Sequence, residues 1–283
     1  MKIAISTEST LDIPKELQKE YGIHTIPFTV ILGDKSALDG EITPEDIFEY
    51  VDQTGVLPKT SAINEYQYDE YFSKLLKNHD AVIHLSLSSG ISSACSNAMR
   101  VASIMKNVYI IDSQSLSSGI ALLAIYARKL ADQGLEPEEI VNRVERRVPY
   151  VQASFVINSL NYLYKGGRCS GLAHFAAALF RIKPQIIVKD GKMAPQKKYH
   201  GKNDVCVANY CHDTLEEFNN PDLSVAFVTH SHATEDMVKI AYDELKKRGF
   251  KKIYETVAQA TITSHCGPKT LGILYINDGL NEE

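Results

Sequence analysis

Ala81-Val82-Ile83-His84-Leu85-Ser86-Leu87 is a short, almost continuous apolar run, closed by Ser88-Ser89-Gly90. A run of this length between turn residues predicts a strand buried on both faces, the kind found inside a parallel sheet. Toward the carboxyl end a helical segment leads to Val108-Tyr109-Ile110-Ile111, a second strand ending at Asp112. The Ala-rich stretch Ser118 to Gln133, closed by Gly134, predicts a long helix, and Pro137-Glu138-Glu139 opens another. Toward the amino end lie a polar helix over Asn64 to Asn78 and a loop carrying Lys59-Thr60-Ser61. Before them, Thr43-Pro44-Glu45-Asp46 starts a helix that reaches about Gln53, since cap, proline and acidic first turn agree. Further back, His24 to Leu32 reads as one strand, Ile13 to Tyr21 as a short helix, and Lys2 to Ser6 as the first strand. Strands alternating with helices predict an α/β fold with a mostly parallel sheet covered on both faces, and candidate sites at the strand carboxyl ends.

The second half changes character. A strand over Ser154 to Asn158 leads to Lys165-Gly166-Gly167-Arg168, an apolar helix, and a hairpin over Ile186 to Met193 turning at Asp190-Gly191. Val225 to Val228, a helix over Glu235 to Arg248, Lys252 to Val257 and Leu271 to Ile276 resume the alternation. A boundary near residue 155 is expected, giving an amino-terminal α/β lobe (1–155) and a carboxyl-terminal α/β lobe (156–283).

The 283 residues are enough for one large α/β unit or two lobes. With 44% hydrophobic and 23% charged residues the chain is a folding one rather than a disordered one. A net charge of -5 without any long basic run argues against nucleic acid as a partner. The cysteines (Cys95, Cys169, Cys206, Cys211, Cys266) are odd in number and scattered, as expected of reduced thiols. No apolar signal core follows Met1 and no membrane-length apolar run occurs, so a cytoplasmic location without stable membrane insertion is expected.

Neither G-x-x-x-x-G-K-[ST] nor G-x-G-x-x-G occurs, so the usual nucleotide-phosphate cradle is missing. Gly166-Gly167 reads as a helix end, leaving Arg168 to face an anion or a partner protein. Hydroxyl clusters stand where strands end or helices begin: Ser6-Thr7-Glu8-Ser9-Thr10, Thr60-Ser61, and the run from Ser86 to Ser93. A carboxylate at the helix start after Ile91 would gain from free amides and the helix dipole, while Ser92 reads equally well as a plain cap. His265, in Thr263-Ser264-His265-Cys266-Gly267-Pro268, is expected on a loop before the last strand, where an imidazole suits an acid group. Gly171 to Phe180 is apolar on nearly every face. It is either a core helix or the wall of an alkyl tunnel, with Leu172, Phe175, Ala176 and Leu179 as candidate lining. Cys206-x-x-x-x-Cys211-His212 and His230-Ser231-His232 lack a second ligand pair, so no metal site is expected. Gly90-Ile91-Ser92-Ser93-Ala94 partly mimics a G-x-S-x-G elbow, which keeps open a serine hydrolase using Ser92 and His265. A binding module for another small anion is a further alternative.

At the hydroxyl clusters the sequence resembles the DegV family of bacterial fatty-acid-binding proteins, and the likeness spans essentially the whole chain. The blocks that carry it, in order, are Ser6 to Pro14, Lys59-Thr60-Ser61, Leu87 to Ser92, Ile111-Asp112-Ser113, Lys165 to Arg168, Ile182-Lys183-Pro184 and His265-Cys266-Gly267-Pro268. The resemblance implies a long-chain fatty acid buried between two lobes, with no other cofactor. Its carboxylate would be held at Thr60 and Ser92, with Ser61 and Ser93 beside them and His265 adjacent. It also implies a separate ATP-binding fatty acid kinase that phosphorylates the bound acid, which fits the missing nucleotide motif, and a chain that is not catalytic by itself. Glu8, Ser93 and Lys269 stand where the family often has Asp, Gly and Gly, and Tyr199-His200-Gly201 replaces an arginine-containing stretch.

Overall fold

Ile3–Glu8 (β1) and Ala81–Ser86 (β6) are buried along their whole length, as apolar runs covered on both faces must be. They pair in parallel at the centre of a four-stranded sheet ordered β2-β1-β6-β7, with His24–Ile26 (β2) and Val108–Asp112 (β7) at its edges. The computed structural model describes residues 1–169 and 182–280. Lys15–Glu20 (α1), Glu65–Leu76 (α3), Ala94–Ala102 (α4), Ser118–Asp132 (α5) and Pro137–Arg147 (α6) complete this half.

The single strand expected over His24 to Leu32 is two. Pro27, which has no backbone N–H to extend a ladder, separates β2 from Thr29–Leu32 (β3). β3 belongs instead to a three-stranded antiparallel sheet, β4-β3-β5, with Lys35–Leu38 (β4) and Lys59–Ser61 (β5). The stretch expected as a loop at Lys59-Thr60-Ser61 is therefore an edge strand, with Thr60 opposite Val30. Pro44–Thr54 (α2) covers this small sheet behind a Thr43–Asp46 capping box, and Ile47 packs with Val30, Leu32 and Ile42.

A six-stranded sheet ordered β10-β9-β8-β13-β11-β12 forms the other half. Its strands are Val151–Val156 (β8), Lys183–Lys189 (β9), Lys192–Tyr199 (β10), Val225–Ser231 (β11), Lys252–Val257 (β12) and Thr270–Ile276 (β13). Only β11 and β12 pair in parallel, because β13 returns antiparallel between β8 and β11. Leu160–Gly166 (α7), Asn203–Glu217 (α8), Glu235–Arg248 (α9) and Ala260–Cys266 (α10) connect these strands. α8 and α9 cover one face, where Tyr210, Cys211, Leu245 and Tyr275 share a core. α5 packs between the two sheets, touching β1 and β6 on one side and β8, β11 and β13 on the other. That position explains its composition: Ile120, Leu123, Ala124 and Ala127 are all fully buried, and small residues let both sheets approach. One apolar cluster accordingly runs from Ile3 and Ile5 through Leu123 to Phe227 and Leu274. Residue 155, where the boundary is expected, lies inside β8.

The β9–β10 turn uses positive φ at Asp190 (50°) and Gly191 (73°), as a tight hairpin of two residues requires. Its tip reaches the first sheet: Ser88 Oγ donates to the Gly191 carbonyl at 2.6 Å. A Cβ at Gly90 would stand 2.5 Å from the same carbonyl, so the contact needs glycine there although the φ of Gly90 is ordinary. No helix among the described residues is long and apolar enough to cross a membrane.

Candidate functional site

A cavity of about 690 Å³ lies at the carboxyl ends of β1, β6 and β7, where α/β sheets commonly bind ligands. The six-stranded sheet forms its floor through Phe155, Met193, Gly272 and Leu274, and α10, β5 and α7 close the remaining sides. Phe28, Leu87, Ile91, Leu116 and Leu163 make much of the wall apolar. A volume in the range of roughly 300–1,000 Å³ suits a ligand of drug or lipid size.

Thr60, Ser61, Ser92, Ser93, Arg168 and His265 all line this cavity, although they come from β5, the β6–α4 turn, the end of α7 and α10. Thr60 Oγ1 and His265 Nε2 are hydrogen-bonded at 2.8 Å. His265 is in the last turn of α10 rather than on a loop as its surrounding sequence suggested. Two buried aspartates from distant parts of the chain hold the start of this short helix. The Gln259 N–H donates to Asp12 Oδ1 at 2.7 Å, and the Thr261 N–H to Asp39 Oδ2 at 3.4 Å. Ser117 donates to the other Asp12 oxygen, and Ser9 donates to Asp39 at 2.8 Å. Burial pushes the Asp12 carboxyl up to about 8 against the pull of Ser117 and the Gln259 N–H. Asp39 is also raised by burial, opposed by the nearby Thr261 and Ser9 hydroxyls.

Burial, reinforced by the Arg168 charge, pushes His265 down to about 4, so the ring is neutral near pH 7. Its Nδ1 is buried without a hydrogen-bond partner and faces Gly166, where a Cβ would lie 3.0 Å away. Gly167 ends α7 with φ 68°, the left-handed cap its sequence suggested. Arg168, exposed beyond it, donates to the Gly166 carbonyl at 2.6 Å. Ser92 serves the helix start, its Oγ accepting from the Ala94 N–H at 3.2 Å while the side chain lines the cavity. Ser61 and Ser93 are exposed at the cavity edge. Leu172, Phe175, Ala176 and Leu179 lie outside the described residues.

Sequence reading missed the cavity interior. Ser154, Thr229, His230, Ser231, Thr261 and Thr270 also line it, and within buried strands or a short Thr-rich helix they carry no local mark of a ligand wall; Ser117, at the start of α5, and Thr10, from the first hydroxyl cluster, line it as well. Beneath the site, the buried Glu8 carboxylate accepts from Tyr68 (2.7 Å), His84 (3.0 Å), Ser86 (2.5 Å) and the Leu87 N–H (2.9 Å). Desolvation would raise its pKa, but the His84 imidazole with the Ser86 and Tyr68 hydroxyls outweighs it and the carboxyl is held below its ordinary value. His84 also bonds Ser6 Oγ at 2.7 Å, a Ser–His–Glu chain that no substrate reaches because all its members are fully buried. Among the described residues no group of His, Cys, Asp and Glu is arranged to hold a metal ion.

A family described as "Uncharacterised protein, DegV family" matches residues 2–278. A DegV domain-containing protein of Caldanaerobacter subterraneus is 29% identical over 279 residues, covering 97% of this chain and 98% of the relative. Among solved structures, a DegV family protein from Thermus thermophilus described by its fatty acid binding superposes with a TM-score of 0.89 at 26% identity, covering 98% of this chain and 100% of that one. DegV of Bacillus subtilis, described as a fatty acid binding protein, superposes with a TM-score of 0.85 at 28% identity, covering 98% and 100%.

Proposed function

This chain belongs to the DegV family, and from that premise we propose that it holds a long-chain fatty acid in the cavity and presents the carboxylate to a separate ATP-dependent fatty acid kinase for acyl phosphate formation. The observation that carries the reading is that Thr60, Ser61, Ser92, Ser93, Arg168 and His265 line one cavity together with the apolar Phe28, Leu87, Ile91, Leu116 and Leu163, with Thr60 and His265 in direct contact. Fatty acid binding by the Thermus thermophilus and Bacillus subtilis proteins supports it. On this reading residues 1–155 supply the hydroxyl-bearing turns and residues 156–283 supply Arg168 and His265. The chain acts in the cytoplasm as a substrate-presenting subunit without catalysis of its own.

Burying a CH₂ group contributes ~0.8 kcal/mol, so a sixteen-carbon tail offers on the order of 10 kcal/mol before ordering costs. The tail supplies affinity and the hydroxyls fix orientation. A neutral His265 donates to or accepts from the head group without adding a buried cation. The hydrolase alternative is the weaker one, because His265 gives Nε2 to Thr60 and its Nδ1 meets no carboxylate, so the acid member of a triad has no place. The test is organic extraction of the purified, denatured protein followed by mass spectrometry, with thermal shift on adding fatty acids. A co-purifying long-chain acid is expected; absence of both lipid and shift refutes the reading.

A further inference from the structure

α10 is too weak a helix to hold its own place. It has only seven residues, three of them the β-branched Thr261, Ile262 and Thr263, well short of the roughly 12–15 at which isolated helices become even marginal. Gln259, which precedes it, makes no side-chain cap, and Ser117, which precedes α5, makes none either. One residue serves both helix starts. Asp12 accepts from the Gln259 N–H at 2.7 Å on one carboxylate oxygen and from the Ser117 hydroxyl on the other, while its backbone carbonyl accepts from Ser118 Oγ at 2.7 Å. Asp12 is fully buried and is not part of the cavity wall. A buried carboxylate is costly unless donors surround it, and the two helix starts supply them. Ser117 has φ 55°, a backbone region a serine rarely adopts, so its surroundings hold the α5 side of this junction to one geometry.

The consequence reaches the ligand site through the helix. His265 lies six positions after Gln259, roughly 9 Å along the axis at 1.5 Å per residue. There Thr60 Oγ1 meets His265 Nε2 at 2.8 Å. A segment this short moves as a piece, so a displaced start displaces the imidazole. Asp39, the other carboxylate at this start, makes a longer backbone contact, 3.4 Å to the Thr261 N–H, so Asp12 is the stronger anchor. We propose that Asp12 is a positioning residue for carboxylate recognition: without lining the cavity, it sets α10 against α5 so that His265 stays in register with Thr60. This rests on the fatty-acid reading and deepens it, making head-group recognition depend on a residue outside the cavity.

The experiment is competition of hexadecanoic acid and hexadecan-1-ol against a fluorescent fatty acid on the delipidated full-length protein. The two compounds share a tail, so the ratio of their affinities reads the head group alone. Asp12→Ala is expected to cut the wild-type preference for the acid about three- to tenfold, the scale of one lost hydrogen bond, with the alcohol bound as before. Asp12→Asn should restore the preference, since its amide accepts from Gln259 and donates to Ser117 Oγ. With His265→Ala already in place, Asp12→Ala should change the ratio no further, because nothing is left to position. Should Asp12→Ala not fold, Asp12→Ser, too short to reach the Gln259 N–H, takes its place with the same expectation. Equal losses for acid and alcohol, an unchanged ratio, or a loss that adds to that of His265→Ala overturns the proposal and leaves Asp12 a purely structural residue. Wild-type protein that binds neither compound refutes the fatty-acid reading and this proposal with it, whereas wild-type binding indifferent to the head group refutes the positioning role alone.

Discussion

Replacing His265 by glutamine removes a titrating ring while keeping an amide able to bond Thr60. In the folded chain His265 is pushed down to about 4, against an ordinary value of 6.5. The folded state thus binds fewer protons than the unfolded state between those values, and stability must fall as pH drops through that window. For such a shift, the loss between about pH 7 and about pH 5 is about 2 kcal/mol. His265→Gln has no proton to take up there, so the wild type should lose about 2 kcal/mol relative to the variant over that interval. Glu8, Asp12 and Asp39 titrate in both proteins and cancel in the difference. The assay is urea unfolding of both proteins at the two pH values, delipidated and then saturated with fatty acid. A bound carboxylate beside the ring favours its protonated form, so ligand should shrink the difference. A wild-type-minus-variant gap that is the same at both pH values refutes the burial argument, and one that ignores ligand separates His265 from the head group.

Thr60→Ala with Ser92→Ala should weaken fatty acid binding by about tenfold, from roughly 0.5–1.5 kcal/mol per lost hydrogen bond, and lower acyl phosphate formation by the cognate kinase with the circular dichroism spectrum unchanged; a wild-type rate removes both residues from the site. Arg147 is buried between Asp222 (2.8 Å) and Asp278 (2.6 Å), so Arg147→Met should cost about 3–5 kcal/mol in denaturant unfolding by stranding two buried carboxylates. A loss under about 1 kcal/mol would show that those carboxylates are readily neutralised or rehydrated. Gly267 has φ 72° and its missing Cβ would fall 2.5 Å from the Tyr162 ring. Gly267→Ala should therefore lower stability by at least about 1–3 kcal/mol, and an unchanged melting temperature would show that Tyr162 moves freely.

Much of this architecture was legible where one segment sufficed to determine it. Ala81 to Leu87 announced the buried central strand, and Thr43-Pro44 announced α2 through chemistry confined to a few residues. The failures are long-range. β2 and β3 look like one strand until Pro27 sends the chain to a different sheet. Ala260–Cys266 is rich in threonine and serine, poor helix formers, and is stabilised as a helix by Asp12 and Asp39, hundreds of residues earlier in the chain. The cavity edge could be anticipated because hydroxyls clustered at Ser6 to Thr10, Thr60-Ser61 and Ser86 to Ser93, whereas Ser154 and Thr229 sit in runs that read as ordinary buried segments. The pairing of Thr60 with His265, 205 positions apart in the chain, depends on tertiary contact alone.

The seating of the Gly191 carbonyl on Ser88 and Gly90 has a mechanical consequence. It ties the tip of the β9–β10 hairpin to the turn after β6, so parting the two sheets at this rim of the cavity costs that hydrogen bond and the close backbone approach that Gly90 permits.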